Sequence, residues 1–296
     1  MSGPQKGSGP ATDRSIKLDA QRIAAALTAR TGVPFVVEGP CLGGQVGAAY
    51  VRWPDGHRGV LTWRPGISLA EARNGPMAVP AALRVTGYPA PATELAAHVG
   101  DGVALVQELL PGTVVRHMDS EILDQALQLS TRHAAALAGH PEVPPYRLYL
   151  GEDGPGFCLH GPLRRFSPRV ADLERRIAAV GRDHPGHLAG DDAVHGDFHH
   201  ENFLARDGRI TGVIDWDGTG CGDRRFDLVT LRFGMQPGNS TAAARQRLDR
   251  ILDDLPDEVL RPAWAHMSLR MADWAIRHFD PADVPYWLDL ADQRLP

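Results

Sequence analysis

"AVHGDFHHENFLARDGRITGVIDWDGTG", running from Ala193 to Gly220, gathers three histidines, five carboxylates and an asparagine into one short stretch. Two chemistries compete for it. His195, Asp197, His199 and His200 alternate in the manner of ligands to a transition metal. A hydrolytic metal site needs further ligands from elsewhere, however, and the remaining histidines stand singly, with no second HxH and no HExxH. For oxygen chemistry the same stretch offers Asp197, then Asn202 five residues on, then Asp215 after the chain has turned back. Magnesium favours such hard oxygen ligands, takes few of them from protein and completes its shell with water and nucleotide phosphates. A separate carboxylate, not needed by the metal, then receives the proton of a substrate hydroxyl. The return itself is legible, because "NFLAR" and "ITGVIDW" read as strands and Asp207-Gly208 suits a tight hairpin turn.

The bulk composition narrows the partners. With 296 residues, 43% of them hydrophobic, the chain can bury a full core as one large or two smaller domains. A formal charge of -5 gives no reason to expect nucleic acid or an anionic membrane, so the expected partner is a small molecule, with the protein itself a monomer or homodimer. Cys41, Cys158 and Cys221 lie far apart in no CxxC spacing, which argues against a disulfide framework and fits a reducing cytoplasm. The opening residues show no apolar core behind their charges, and no apolar run is long enough to span a bilayer. Residues 1–17 read as a flexible tail.

Away from the motif, the chain changes character near Pro111-Gly112. Before it, "LDAQRIAAALTARTG" has helical spacing and a stop at Gly32. "AAYVRW" and "GVLTW", then "ELAAHV" and "VALVQELL", read as two pairs of strands. "MAVPAALRVTGYPAP" between them predicts a short helix ending at Gly87. After it, "SEILDQALQLSTRHAAALAGH", opened by Ser120 as N-cap, and "RVADLERRIAAVGRDH" predict long helices. "RPAWAHMSLRMADWAIRHF" predicts another, with Trp264, Met267, Met271, Trp274 and His278 along one face. The expected architecture is α+β: a small antiparallel sheet lobe over residues 18–111 and a larger, mainly helical lobe over 112–296.

"HGDFHHENFL" followed by "GVIDWDGTGCGDRRFDL" resembles the aminoglycoside phosphotransferase and choline kinase superfamily. Its pattern is an HGD, an Asn five residues past the Asp, an IDW or IDF about a dozen residues later, and a DL opening a helix. The resemblance implies a two-lobed, protein-kinase-like fold and transfer of a phosphoryl group from ATP or GTP, with magnesium, to the hydroxyl of a small molecule. Carried over by position, Asp197 is the catalytic base or hydroxyl-orienting residue, and Asn202 and Asp215 hold magnesium. His195 and Asp227 are structural. In "LGGQVGAAYVRW", Gly43, Gly44 and Gln45 belong to the loop that closes over the nucleotide, where glycine lets backbone amides approach phosphate. "VALVQELLPG" resembles the segment linking the lobes, with backbone groups from Glu108 to Leu110 facing a purine edge. No GxxxxGK[ST] is present, which excludes a Walker-type loop.

One departure bears on the nucleotide. The superfamily usually carries Lys or Arg at about Thr62, paired with a helical Glu, whereas here the only lysines are Lys6 and Lys17. Arg64 shares a strand face with Thr62, and Glu71 is the nearest acid, so the two are candidates for a displaced pair. The acceptor pocket is expected in the helices after Asp227. Its candidates are His266, Asp273, Trp274, Arg277 and His278, with Glu201 and Asp217 from the loop side. An antibiotic hydroxyl, an aminoglycoside first, is the leading acceptor. A metabolic kinase for an amino alcohol, sugar or nucleoside is the second reading, and a nucleotide-binding regulator without turnover the third.

Overall fold

The computed structural model describes residues 18–41, 47–184 and 186–295. Within them the chain forms two compact units, one running up to Ala72 and including Ala92–Leu109, the other made of Arg73–Pro91 and the chain from Leu110 onward. Residues 73–91, assigned to the first lobe from sequence, thus belong with the second.

In the first unit, helix α1 (Ala20–Thr31) starts at an Asp19 cap whose side chain accepts the Arg22 N–H and ends on Gly32 in a left-handed conformation, φ 72°. Strands β1 (Val36–Pro40), β2 (Ala49–Arg52) and β3 (Arg58–Pro65) follow, then a short helix α2 (Leu69–Ala72), β4 (Thr93–Val99) and β5 (Gly102–Glu108). They make one antiparallel sheet of order β1-β2-β3-β5-β4. Alternation along β3 turns Leu61 and Trp63 into the core and leaves Thr62 and Arg64 on the half-buried face. Ile23, Ala24 and Leu27 of α1 join Val51, Leu61, Trp63, Ala104 and Val106 in that core.

The second unit is mainly helical. It contains α3 (Ala78–Arg84), a two-residue strand β6 (Thr113–Val114), α4 (Ser120–Thr131), α5 (His160–Phe166), α6 (Pro168–Asp183), β7 (Asp192–Val194), β8 (Phe203–Arg206), β9 (Arg209–Val213), β10 (Gly220–Gly222), α7 (Phe226–Gly234), α8 (Ala242–Asp253), α9 (Asp257–His278) and α10 (Val284–Asp292). Val170, Leu173, Ile177 and Val180 form the buried stripe of α6. Each such side chain contributes about 1.5–3 kcal/mol on leaving water. Phe198, Phe203, Trp216, Phe226, Phe233 and Trp264 are fully buried within the same core.

Two helix boundaries differ from the sequence reading. Asp119, not Ser120, caps α4, its side chain accepting the Ile122 N–H at 2.9 Å. The same helix stops at Thr131 although helical spacing continues to His140. The following segment bonds instead to the approach of β7, with Ala135 N–H to Asp192 Oδ1 at 2.7 Å and Ala193 N–H to the His133 carbonyl at 3.0 Å. No helix among the described residues is long and apolar enough to cross a membrane.

Candidate active site

Two antiparallel pairings build the site. β7 pairs with β10, aligning Val194 with Gly220, and the Thr219 hydroxyl ties the same edge by donating to the Val194 carbonyl at 2.6 Å. β8 pairs with β9 through a turn in which Asp207 (φ 52°) and Gly208 (φ 73°) are both left-handed, as a tight hairpin requires. The ladder extends one step beyond β8 and β9, because Ile214 N–H donates to the Asn202 carbonyl at 2.9 Å. The chain from Gly196 to Asn202 is therefore a loop held at both ends, and Asp215 stands just past the partner of Asn202.

Asp227 fixes the start of that loop from beneath. It is fully buried in the first turn of α7, and its two oxygens accept the His195 and Gly196 N–H groups, each at 2.9 Å. His133 Nδ1 lies 3.3 Å from the same carboxylate, while His133 Nε2 is 2.9 Å from the Tyr88 hydroxyl. Gly196 has φ 78°, and a Cβ there would meet Tyr146 at 2.5 Å, so only glycine fits. His195 is fully buried, and burial lowers its pKa. Its Nδ1 accepts the Asp197 N–H at 3.2 Å, which leaves Nε2 to donate to the Ile214 carbonyl at 3.0 Å. A ring occupied at both nitrogens is a brace between the two loops rather than a metal ligand. Trp216 anchors the other loop, its indole N–H donating to the Val213 carbonyl at 2.9 Å and its ring 4.4 Å from that of His195.

Asp197 is engaged at both carboxylate oxygens. Oδ1 accepts Arg270 Nη2 at 2.8 Å, Oδ2 accepts Asn202 Nδ2 at 3.2 Å, and His199 Nε2 lies 3.4 Å from Oδ2. Burial works against ionisation here, but the Arg270 guanidinium and then His199 outweigh it and hold the carboxyl well below the usual range. The same contact has the opposite sign on His199, whose pKa rises despite burial because it faces Asp197. His200 differs from its neighbour. It is buried, with its pKa pushed down to about 4, first by burial and then by His199.

Asn202 also donates to the Asp197 carbonyl at 2.8 Å, which directs its own amide oxygen away from the Asp197 carboxylate. Asp215 is exposed and sits at φ 64°, a left-handed conformation uncommon outside glycine. Asn202 and Asp215 thus offer two hard oxygens from adjoining strand ends, a donor set that suits magnesium with water and phosphate completing the shell. Among the described residues, no group of three or more His, Cys, Asp or Glu side chains is arranged to hold a metal ion.

The remaining sequence candidates separate. Glu201 and Asp217 are exposed on the two loops. Asp273 is fully buried, and both of its oxygens are taken by Arg277, at 2.7 and 2.8 Å. It is thus not an open contact for an acceptor. His266 is also interior, where its Nδ1 accepts the Tyr149 N–H at 3.2 Å. Trp264 and Met267 of the predicted stripe are core, whereas Trp274 is half-buried, its ring 4.0 Å from that of the exposed His278. In the first unit, Glu71 closes a capping box with Ser68 at the start of α2, accepting the Ser68 N–H at 2.7 Å while the Ser68 hydroxyl accepts the Glu71 N–H at 3.1 Å. Arg64 lies on β3 opposite Val103. The Glu108 N–H donates to the Ala92 carbonyl at 2.9 Å, so that amide is already used within its own unit, and Leu110 is buried in the second. Gly43, Gly44 and Gln45 lie outside the described residues.

Sequence reasoning missed Arg270. Its signal is a polar stripe of His266, Arg270, Asp273 and Arg277 at helical spacing along α9.

Among curated proteins no sequence matches this chain. Several solved structures share its fold at low identity. Amicoumacin kinase hAmiN in complex with AMP-PNP, Ca2+ and Ami is 17% identical with a TM-score of 0.63, covering 93% of this chain and 94% of that one. A thermostable mutant of aminoglycoside phosphotransferase APH(4)-Ia in a ternary complex with ADP and hygromycin B is 16% identical with a TM-score of 0.59, covering 92% and 97%. Macrolide 2'-phosphotransferase MphH from Brachybacterium faecium is 19% identical with a TM-score of 0.52, covering 92% and 98%. The fold is accordingly α+β and protein-kinase-like. Residues 67–268, more than half of the chain, match the phosphotransferase enzyme family (APH), and the chain belongs to that family.

Proposed function

We propose that this phosphotransferase moves the γ-phosphoryl group of ATP or GTP to a hydroxyl of a small molecule, and that the acceptor is an antibiotic, with aminoglycosides the first class to test. The observation that carries the reading is the Asp197–Asn202 hydrogen bond at 3.2 Å, with Asp215 one residue beyond the backbone partner of Asn202. It joins a hydroxyl-orienting carboxylate to a pair of oxygen donors for a phosphate-bound cation. Similar solved structures hold ADP with hygromycin B or, in an amicoumacin kinase, AMP-PNP with Ami, which supports adenine nucleotide and an antibiotic as the starting pair.

In this reading Asp197 orients rather than deprotonates. A carboxylate stabilised by Arg270, Asn202 and His199 is a weak proton acceptor but a well-aimed hydrogen-bond acceptor. That suits a loose transition state in which the attacking hydroxyl keeps its proton until the new O–P bond is largely formed and then passes it to Asp197 or to an oxygen of the transferred phosphoryl group. Asn202 and Asp215 hold magnesium on the nucleotide phosphates, where the ion supplies charge stabilisation. His195 and Asp227 keep the turn in place. Of the acceptor candidates, Glu201, Asp217, Trp274 and His278 retain exposed surface, whereas Asp273 acts through Arg277.

The test is incubation with ATP or GTP and magnesium across aminoglycosides, macrolides, peptide and nucleoside antibiotics, amino alcohols and sugars, with mass spectrometry of each acceptor. A phosphorylated antibiotic supports the whole reading. A phosphorylated amino alcohol or sugar, with the antibiotics untouched, overturns the acceptor and keeps the chemistry.

A further inference from the structure

Arg270 stands apart among the arginines of α9. Its fork grips the same turn twice, through Nη1 to the Gly196 carbonyl at 2.6 Å and through Nη2 to Asp197 Oδ1 at 2.8 Å. Backbone and carboxylate of adjacent residues are thus tied to one rigid plane. Arg277, one helical repeat further along, instead spends its fork on buried Asp273 and on the Gly156 carbonyl. The Asp197 and Arg270 side chains keep 31% and 25% of their surface, so the pair borders the place where a hydroxyl would meet the carboxylate. Without Arg270, the hydrogen bond from Asn202 and the contact with His199 would both act on Oδ2, and Oδ1 would lose the contact that fixes rotation of the carboxylate.

We propose that Arg270 is a positioning residue for phosphoryl transfer, setting the orientation of the Asp197 carboxylate through its two-pronged contact with Gly196 and Asp197. The proposal rests on the phosphotransfer reading of Asp197. A carboxylate free to rotate still attracts a hydroxyl but seldom aims it in line with the phosphoryl group, and misplacement on the ångström scale costs up to on the order of a hundredfold in rate. Lysine carries the charge without the planar fork, so it replaces only part of the function.

The experiment compares the full chain with Arg270→Gln, Arg270→Lys, Arg270→Ala and Asp197→Asn in steady-state nucleoside diphosphate release, using the acceptor panel and water itself as acceptor. Melting curves identify the folded variants. The expected result for Arg270→Gln is a fall in kcat of about tenfold to a hundredfold with the nucleotide KM unchanged. Arg270→Lys should fall between Arg270→Gln and the parent, and added guanidinium ion should restore part of the turnover of Arg270→Ala. Should Arg270→Gln fail to fold, the Arg270→Lys value and the guanidinium response decide. A parent that turns over while Asp197→Asn does not, with Arg270→Gln or Arg270→Lys as fast as the parent or with no guanidinium response, overturns the role of Arg270 alone. A parent inert toward every acceptor and toward water overturns the phosphotransfer reading itself, and the positioning role with it.

Discussion

Two loops flank the β8–β9 hairpin and expose their aspartates to different degrees. From Gly196 to Asn202 nearly every group is gripped: Asp197 by Arg270 and Asn202, the Phe198 N–H by the Thr230 hydroxyl at 3.2 Å, and the backbone of His195 and Gly196 by Asp227. From Ile214 to Thr219 the buried anchor is Trp216, and the carboxylates on either side of it, Asp215 and Asp217, face outward. The contrast fits the roles proposed for Asp197 and Asp215. A carboxylate that aims a hydroxyl works through a fixed direction, so its rotamer is defined by surrounding donors. One that meets a hydrated cation with phosphates needs access, so the fold fixes its backbone and leaves the oxygens at the surface.

The largest expected effect lies in the gripped loop. Asp197→Asn keeps the shape and a hydrogen-bonding side chain but loses the charge, and turnover should fall by on the order of 10²–10⁴ in a chain that still folds cooperatively, at a lower midpoint because the ion pair with Arg270 is lost. Retention of most turnover would contradict the assignment. Asp215→Asn, which keeps the shape at φ 64° but loses the charge, should lower turnover by about a hundredfold or more at limiting magnesium, with the midpoint of chemical denaturation nearly unchanged. Activity lost together with stability would mean that Asp215 serves the fold rather than the metal.

Next comes the support. Asp227→Ala strips the acceptor from two buried N–H groups, at about 1–3 kcal/mol each, and chemical denaturation should record the loss directly. An unchanged midpoint would show that water or His133 replaces the carboxylate. The smallest effect concerns pH. His266 is buried neutral, its pKa lowered to about 3 by burial and then by Arg270. A depressed pKa means that the unfolded chain binds more protons, so this contribution is complete above the unfolded value near 6.5 and is lost as pH falls toward 3. His199 runs the other way, stabilising most below its unfolded value and less as pH rises through its raised folded one. Comparing His266→Gln with the parent isolates the first: between pH 7 and 5.5 the parent should lose about 1–1.5 kcal/mol more than the variant. Parallel pH profiles would refute it.

The parts that sequence revealed are those where local signals and tertiary demands agree. The Asp207-Gly208 turn, the Gly32 stop and the hairpin that returns Ile214 to Asn202 all depend on neighbours close in the chain. What stayed hidden depends on distant ones. Arg270 meets Asp197 across 73 positions, and periodicity alone cannot say which polar residue of a helix turns toward a loop. The helical pattern after Thr131 is overridden because Ala135 and His133 find partners at Asp192 and Ala193. Asp273 and His266 look like site residues by type, and only burial and the fork of Arg277 show them to be support.

Acceptor-dependent release of nucleoside diphosphate from Mg-ATP and Mg-GTP, measured in parallel for the parent chain and Asp197→Asn, tests the role of Asp197 most directly. The predicted result is release that requires a hydroxyl acceptor, yields one phosphorylated product per diphosphate, and disappears in the variant while its fold persists. Release that continues undiminished in Asp197→Asn would contradict the assignment of that carboxylate, and with it the reading of the gripped loop.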